Sequence, residues 1–90
     1  MTTLHLTLKK KWFDMIASGE KKEEYREVKP YWITRLSKQY DDVIFRNGYS
    51  KDAPQMQFKV TGINVTHGFE KWGAPEYEQV FVIGLGDWIS

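Results

Sequence analysis

Seven of the eight residues from 20 to 27, in the stretch Glu20-Lys21-Lys22-Glu23-Glu24-Tyr25-Arg26-Glu27, are charged. Within this run Lys21, Glu24 and Arg26 have a spacing that could do chemistry. In an extended chain Glu24, Arg26 and Val28 share one face, and Glu23, Tyr25 and Glu27 share the other. Lys21 lies in the turn before them and can swing to either side. A carboxylate flanked by an ammonium and a guanidinium supports two kinds of work. The cations can hold a phosphate while Glu24 holds them in place. Alternatively, a lysine whose pKa is lowered by burial and by a nearby arginine can act as base or nucleophile. Glu24 would then be the second proton carrier, and an arginine would steady the developing oxyanion. The plainer use of such a run is a solvated strand, whose surface ion pairs contribute about 0–1 kcal/mol.

Other residues bear on the same question. Lys9, Lys10 and Lys11 precede a helical stripe, and each cation at a helix N-terminus is unfavourable by about 0.3–1 kcal/mol. An anion held by free helical N–H groups and Lys10 would remove that cost. Arg46-Asn47-Gly48-Tyr49 places a cation and an aromatic ring on a turn, and Trp72 and Tyr77 lie in an irregular segment with Glu70, Glu76 and Glu78. Aromatic rings and guanidinium groups on loops suit stacking on an unpaired base. A tight turn and an aromatic lid are the structural alternatives. With no cysteine and only two histidines, His5 and His67, far apart in the chain, no metal set and no cofactor are expected. Phosphate-loop and nucleophile-elbow glycine patterns are missing too.

The elements that must position these residues can be read from periodicity. Leu4, Leu6 and Leu8 alternate with Thr3, His5 and Thr7, which is the pattern of a half-buried strand. Trp12, Phe13, Ile16 and Ala17 form a helical stripe over residues 10–18, and Gly19 stands where a left-handed cap belongs. Residues 22–28 predict a strand. Pro30 opens a second short helix with a face of Trp32, Ile33, Leu36 and Tyr40. Residues 42–46 predict a strand ended by the turn dipeptide Asn47-Gly48. In residues 56–66 the apolar parity flips across Gly62, which predicts a β-bulge there. Residues 67–78 read as a long connection, and residues 80–85 as a strand buried on both faces. Five strands and two short helices predict an α+β fold whose strands curl into an open barrel.

Ninety residues without a linker predict one domain, residues 1–90, whose core draws on its fourteen aromatic residues. Lacking a signal-like leader or a membrane-length apolar run, the chain is expected to be cytoplasmic, with no membrane partner, and a monomer. Its net charge is only +1, which argues against general polyanion coating. Residues 1–46 nevertheless carry ten basic and seven acidic side chains, against three and five in the remainder. An anion-binding surface is therefore expected in the first half.

Gly19, Lys21, Glu24 and Arg26 fit the G-x-K-x-x-E-x-R signature of the ASCH domain. The leading strand, the Trp/Phe/Ile helix, Lys29-Pro30 and the closing Ile83-Gly84-Leu85-Gly86 agree with it. The chain resembles small stand-alone ASCH proteins of the kind found in bacteria and phages. That resemblance implies a PUA-like β-barrel, with the motif lining a cleft that binds RNA or a nucleotide. Some relatives are hydrolases that deacetylate N4-acetylcytidine with a Lys, a Thr and a Glu, and others have been proposed as ribonucleases. Lys21 matches the Lys, Glu24 stands where the Thr does, and the sequence leaves the later Glu open among three candidates, Glu70, Glu76 and Glu78.

The first expectation is an RNA- or nucleotide-binding module. Lys21, Arg26 and Arg46 contact phosphate, Tyr49 or Trp72 stacks on a base, and the log–log salt slope is about −2. The alternative is a metal-independent hydrolase acting on a modified nucleoside or RNA through Lys21 and Glu24. A third is a protein-interaction module of unknown partner. The geometry expected is Trp12 and Ile16 packed against Leu6 and Val82 or Ile83, Lys21 at a cleft rim, and Glu24 and Arg26 pointing inward in salt-bridge contact. Lys9 to Lys11 should lie near the same opening, and Tyr25 should point to the core.

Overall fold

In the computed structural model, which describes residues 2–90, the leucine alternation forms β1 (Thr3–Leu8), with Leu4, Leu6 and Leu8 buried and His5 exposed. α1 (Lys10–Ala17) follows, then β2 (Glu23–Glu27), α2 (Pro30–Leu36), β3 (Asp42–Asn47), β4 (Gln55–Thr66) and β5 (Val80–Trp88). A single 3-10 turn, Glu70–Trp72, lies in the connection before β5. The strand order is β1-β3-β4-β5-β2. β1 and β3 are parallel, and the other neighbouring pairs are antiparallel. The fold is thus α+β, with two helices on a curled, half-open barrel.

β4 is long enough to bend between its two partners. Its register against β5 shifts between Phe58 and Val60 and again between Val60 and Gly62, the site of the expected bulge. The two sheet edges, β1 and β2, are bridged by a side chain: Arg26 Nη2 donates to the Thr7 carbonyl oxygen at 3.3 Å. An arginine therefore stands where a continuous ladder would have closed the barrel.

Two apolar clusters hold the sheet. The larger fills the inner face, where Phe13 and Ile16 of α1 and Leu36 of α2 cover Leu4, Leu6, Val43, Phe45, Phe81 and Ile83. Fully burying one such side chain is worth about 1.5–3 kcal/mol. The smaller lies on the opposite side of β2 and β5, where Tyr25, Val80 and Val82 pack with Ala74. β5 is therefore covered on both faces, as its continuous apolar run predicts. Tyr25 points to this second cluster, while Glu24 and Arg26, opposite Ile83 and Phe81, share the face of the main core.

Three expectations about helix faces are corrected, the first being that Ala17, the last residue of α1, is exposed rather than part of its buried stripe. Trp12 is only half-buried and stands outside the main cluster, because it turns to cover Lys21 and Gly73. Ile33 is 45% exposed, since a seven-residue helix lying over the barrel end can bury only one narrow stripe, here Leu36 with partial cover of Trp32 and Tyr40. No helix among the described residues is long and apolar enough to cross a membrane.

Candidate functional site

The site begins with the helix stop. Ser18 N–H donates to Asp14 O and Gly19 N–H to Ile16 O, at 3.0 and 3.1 Å. Gly19 then takes φ +87°, a left-handed conformation that costs glycine nothing. This turn folds the chain back under α1, so that Lys21 N–H reaches Met15 O at 3.0 Å. The Lys21 side chain consequently runs into the protein rather than to a rim, and only 2% of the residue is exposed.

In place of water the ammonium has protein partners. Nζ lies 2.9 Å from Glu24 Oε1 and donates to the backbone oxygen of Trp72. It also stands 4.4 Å from the Trp12 ring centroid and 5.1 Å from that of Tyr25. A buried cation requires such compensation, and aromatic faces contribute to it. Burial pushes the Lys21 pKa below its ordinary value, the Glu24 carboxylate pulls it back up, and Arg26 adds a smaller lowering effect.

Glu24, 4% exposed, bridges both cations: its second oxygen accepts from Arg26 Nη1 at 2.6 Å. Nη1 also donates to Tyr25 O at 2.7 Å. Unlike Lys21, Arg26 reaches open space. It lines a cleft of about 500 Å³ with Tyr25, Glu27, Trp32, Gly73, Pro75, Glu78 and Val80. Its guanidinium carbon lies 5.2 Å from the Trp32 ring centroid. Of the three glutamates the sequence leaves open, Glu78 lines this cleft, while Glu70 opens the 3-10 turn and Glu76 is exposed outside it.

The far wall of the cleft belongs to the connection before β5, which is pinned to β2. Tyr25 Oη donates to Glu23 Oε1 at 2.8 Å and accepts the Phe69 N–H at 3.0 Å. Burial raises the Tyr25 pKa well above the usual phenol value; the Phe69 N–H opposes the rise and Glu23 adds to it. Gly73, at φ +104°, admits the Trp12 ring within 3.0 Å of where a Cβ would stand. Trp72 does not line the cleft: its ring packs against the smaller cluster and its carbonyl oxygen accepts from Lys21.

The remaining expected residues are placed elsewhere. Lys10 pairs with Asp14 at 2.6 Å on the outside of α1, and Lys9 to Lys11 are exposed and do not line the cleft. Arg46 donates to Ser50 O at 2.5 Å and so braces its own loop, with Tyr49 90% exposed nearby in sequence. Neither residue lines the Arg26 cleft. Trp32 does, and periodicity had assigned it only to a core stripe. The signal that could have found it was compositional, because Tyr31, Trp32 and Ile33 are more apolar bulk than a helix of seven residues can bury.

A family model described as ASCH domain matches residues 6–86. No curated protein and no solved structure matches the chain.

Proposed function

This chain belongs to the ASCH domain family, and from that premise we propose that it binds single-stranded RNA by taking one base into the Arg26 cleft. Family membership supports RNA or nucleotide binding in general. The observation that carries the finer statement is the Arg26 guanidinium, set by buried Glu24 and lying over Trp32 in a cleft with Glu78 on its wall. Arg26 offers donors, Glu78 offers acceptors, and the Trp32 ring offers a stacking surface. Those three suit a base edge that carries both an acceptor and an amine. Glu27 and Glu78 make the cleft a poor place for a phosphate, so the phosphate contact first expected of Arg26 becomes a base contact. Lys21 then acts indirectly: it fixes Glu24 from behind and holds the Trp72 carbonyl, and with it the cleft wall.

Fluorescence anisotropy of a short labelled single-stranded RNA at about 50 mM salt tests this proposal. Arg26→Ala or Trp32→Ala should weaken binding roughly ten-fold or more, the loss of one charge-assisted bond or one stacked base. Affinity unchanged by both substitutions would overturn it.

One observation favours a hydrolytic second reading, namely that burial lowers the proton affinity of Lys21. As placed, its ammonium is enclosed by Glu24, Trp72 O and two rings, so catalysis would need the Trp72 segment to withdraw. Turnover of acylated cytidines or short RNAs that disappears in Lys21→Met would support that use; absence of turnover in the unaltered protein counts against it.

A further inference from the structure

We infer that the RNA site extends along α2, with the nucleotide next to the one in the cleft lying against Tyr31 and its phosphate against Arg35. This rests on the cleft proposed above and adds to it the length and shape of the ligand.

α2 buries only Leu36, so most of its surface is available. Trp32 faces the cleft, and Tyr31, one residue earlier, is 57% exposed beside it. Arg35, four residues on and therefore on the same helical face, holds its guanidinium carbon 4.5 Å from the Tyr31 ring centroid. The sequence of contacts is Arg26, Trp32, Tyr31, Arg35: guanidinium, ring, ring, guanidinium. Tyr49 and Tyr77 are more exposed, but among the described residues neither has a ring or a cation stacked on it. Exposure alone is therefore not what distinguishes Tyr31.

Charge selects the occupant. α2 carries Arg35 and no acidic residue, and Lys38 follows it. A polyanion leaving the cleft would meet cations in that direction. Within the cleft the same strand meets Glu27 and Glu78, which favours a base inside and a phosphate outside.

Ring geometry selects the form of the RNA. Trp32 and Tyr31 have centroids 4.8 Å apart and planes inclined at 88°. Two neighbouring bases lying on these rings cannot be parallel to each other. A duplex keeps its bases stacked and parallel, whereas an unpaired strand can splay them. The pair of rings therefore fits a kinked single strand of at least two nucleotides.

Nucleosides and dinucleoside monophosphates of all base combinations, titrated by NMR into the unaltered protein and its variants, test the extension. The best dinucleoside monophosphate should bind roughly ten-fold tighter than its cleft nucleoside, the increment of one stacked base. Tyr31→Ala should bring the two affinities together, and Tyr31→Trp should keep them apart. With one phosphate contact the dinucleoside's log–log salt slope should be about −0.7, and Arg35→Gln should flatten it. A dinucleoside no tighter than the nucleoside, or an increment that survives Tyr31→Ala, overturns the extension and leaves the cleft standing. Nucleoside binding that is absent, or indifferent to both Arg26→Ala and Trp32→Ala, overturns the cleft and the extension together.

Discussion

Lys10 and Lys21 each pair with a carboxylate close by in sequence, four and three residues on, at 2.6 and 2.9 Å. By distance alone the two ion pairs are equivalent. The side chains of Lys10 and Asp14 are 78% and 53% exposed, whereas those of Lys21 and Glu24 are 1% and 5% exposed. What separates them is cover. Lys10 and Asp14 stay open to solvent on the outer face of α1, while Trp12, Tyr25 and the Trp72 carbonyl close over Lys21. The first pair is a solvated contact of small consequence. The second is an internal framework that fixes Arg26, and its strength depends on every member being present.

The sharpest way to break this contrast is to remove the shared carboxylate. Glu24→Gln leaves an ammonium and a guanidinium inside without their counter-charge and should destabilise the protein by about 3–5 kcal/mol in denaturant unfolding. Adding Lys21→Met should restore part of that loss, making the double variant more stable than Glu24→Gln alone, because the unpaired buried cation is what costs most. A loss below about 1 kcal/mol for Glu24→Gln would place the network with the surface pairs.

A smaller effect is expected in alkaline solution, where the two buried titrating groups act in opposite directions. Tyr25 has a folded pKa raised above 10.0, so the unfolded chain loses this proton first and stability falls as pH rises past about 10. Lys21 has a folded pKa lowered from 10.5, so between the folded value and 10.5 the unfolded chain holds more protons and stability rises with pH. Unfolding free energies measured between about pH 9 and 11 should therefore slope more upward in Tyr25→Phe and more downward in Lys21→Met. Identical slopes in both variants would show that neither group is buried as described.

The smallest effect belongs to the exposed pair. Lys10→Ala should change stability by less than about 0.5 kcal/mol, because the exposed pair with Asp14 is offset by the unfavourable cation at the helix N-terminus, and near 1 M salt the change should vanish while the Glu24→Gln loss persists.

Much of the architecture was legible because it follows from short-range geometry. Leucines two apart announced β1, Gly19 announced the helix stop, and the parity change at Gly62 announced the irregularity in β4. Even the pairing of Glu24 with Arg26 on one face follows from the two-residue repeat of a strand. Other features were not legible, for physical reasons that differ. Trp12 belongs to the same stripe as Ile16 by spacing, yet a wide indole can leave the core to cover an ammonium. Tyr25 was expected in the core, and it found a second one, which exists only because the segment around Ala74 folds back over β5. Trp32 was hidden by its own hydrophobicity, since a cleft wall and a core position call for the same residue.

The order of elements and the side chains that share a face follow from the residues in order, because helix and strand periods are set by the backbone within a few residues. Only long-range packing decided which face is inside, that Lys21 is enclosed, and that Glu78 rather than Glu70 or Glu76 lines the cleft that Arg26 enters. These outcomes depend on partners far apart in the chain: Lys21 and Trp72 are 51 positions apart, Tyr25 and Phe69 are 44, and Arg26 and Thr7 are 19. A local charge pattern carries no record of what will pack over it, and for an ion pair that cover decides whether it is surface decoration or the frame of a site.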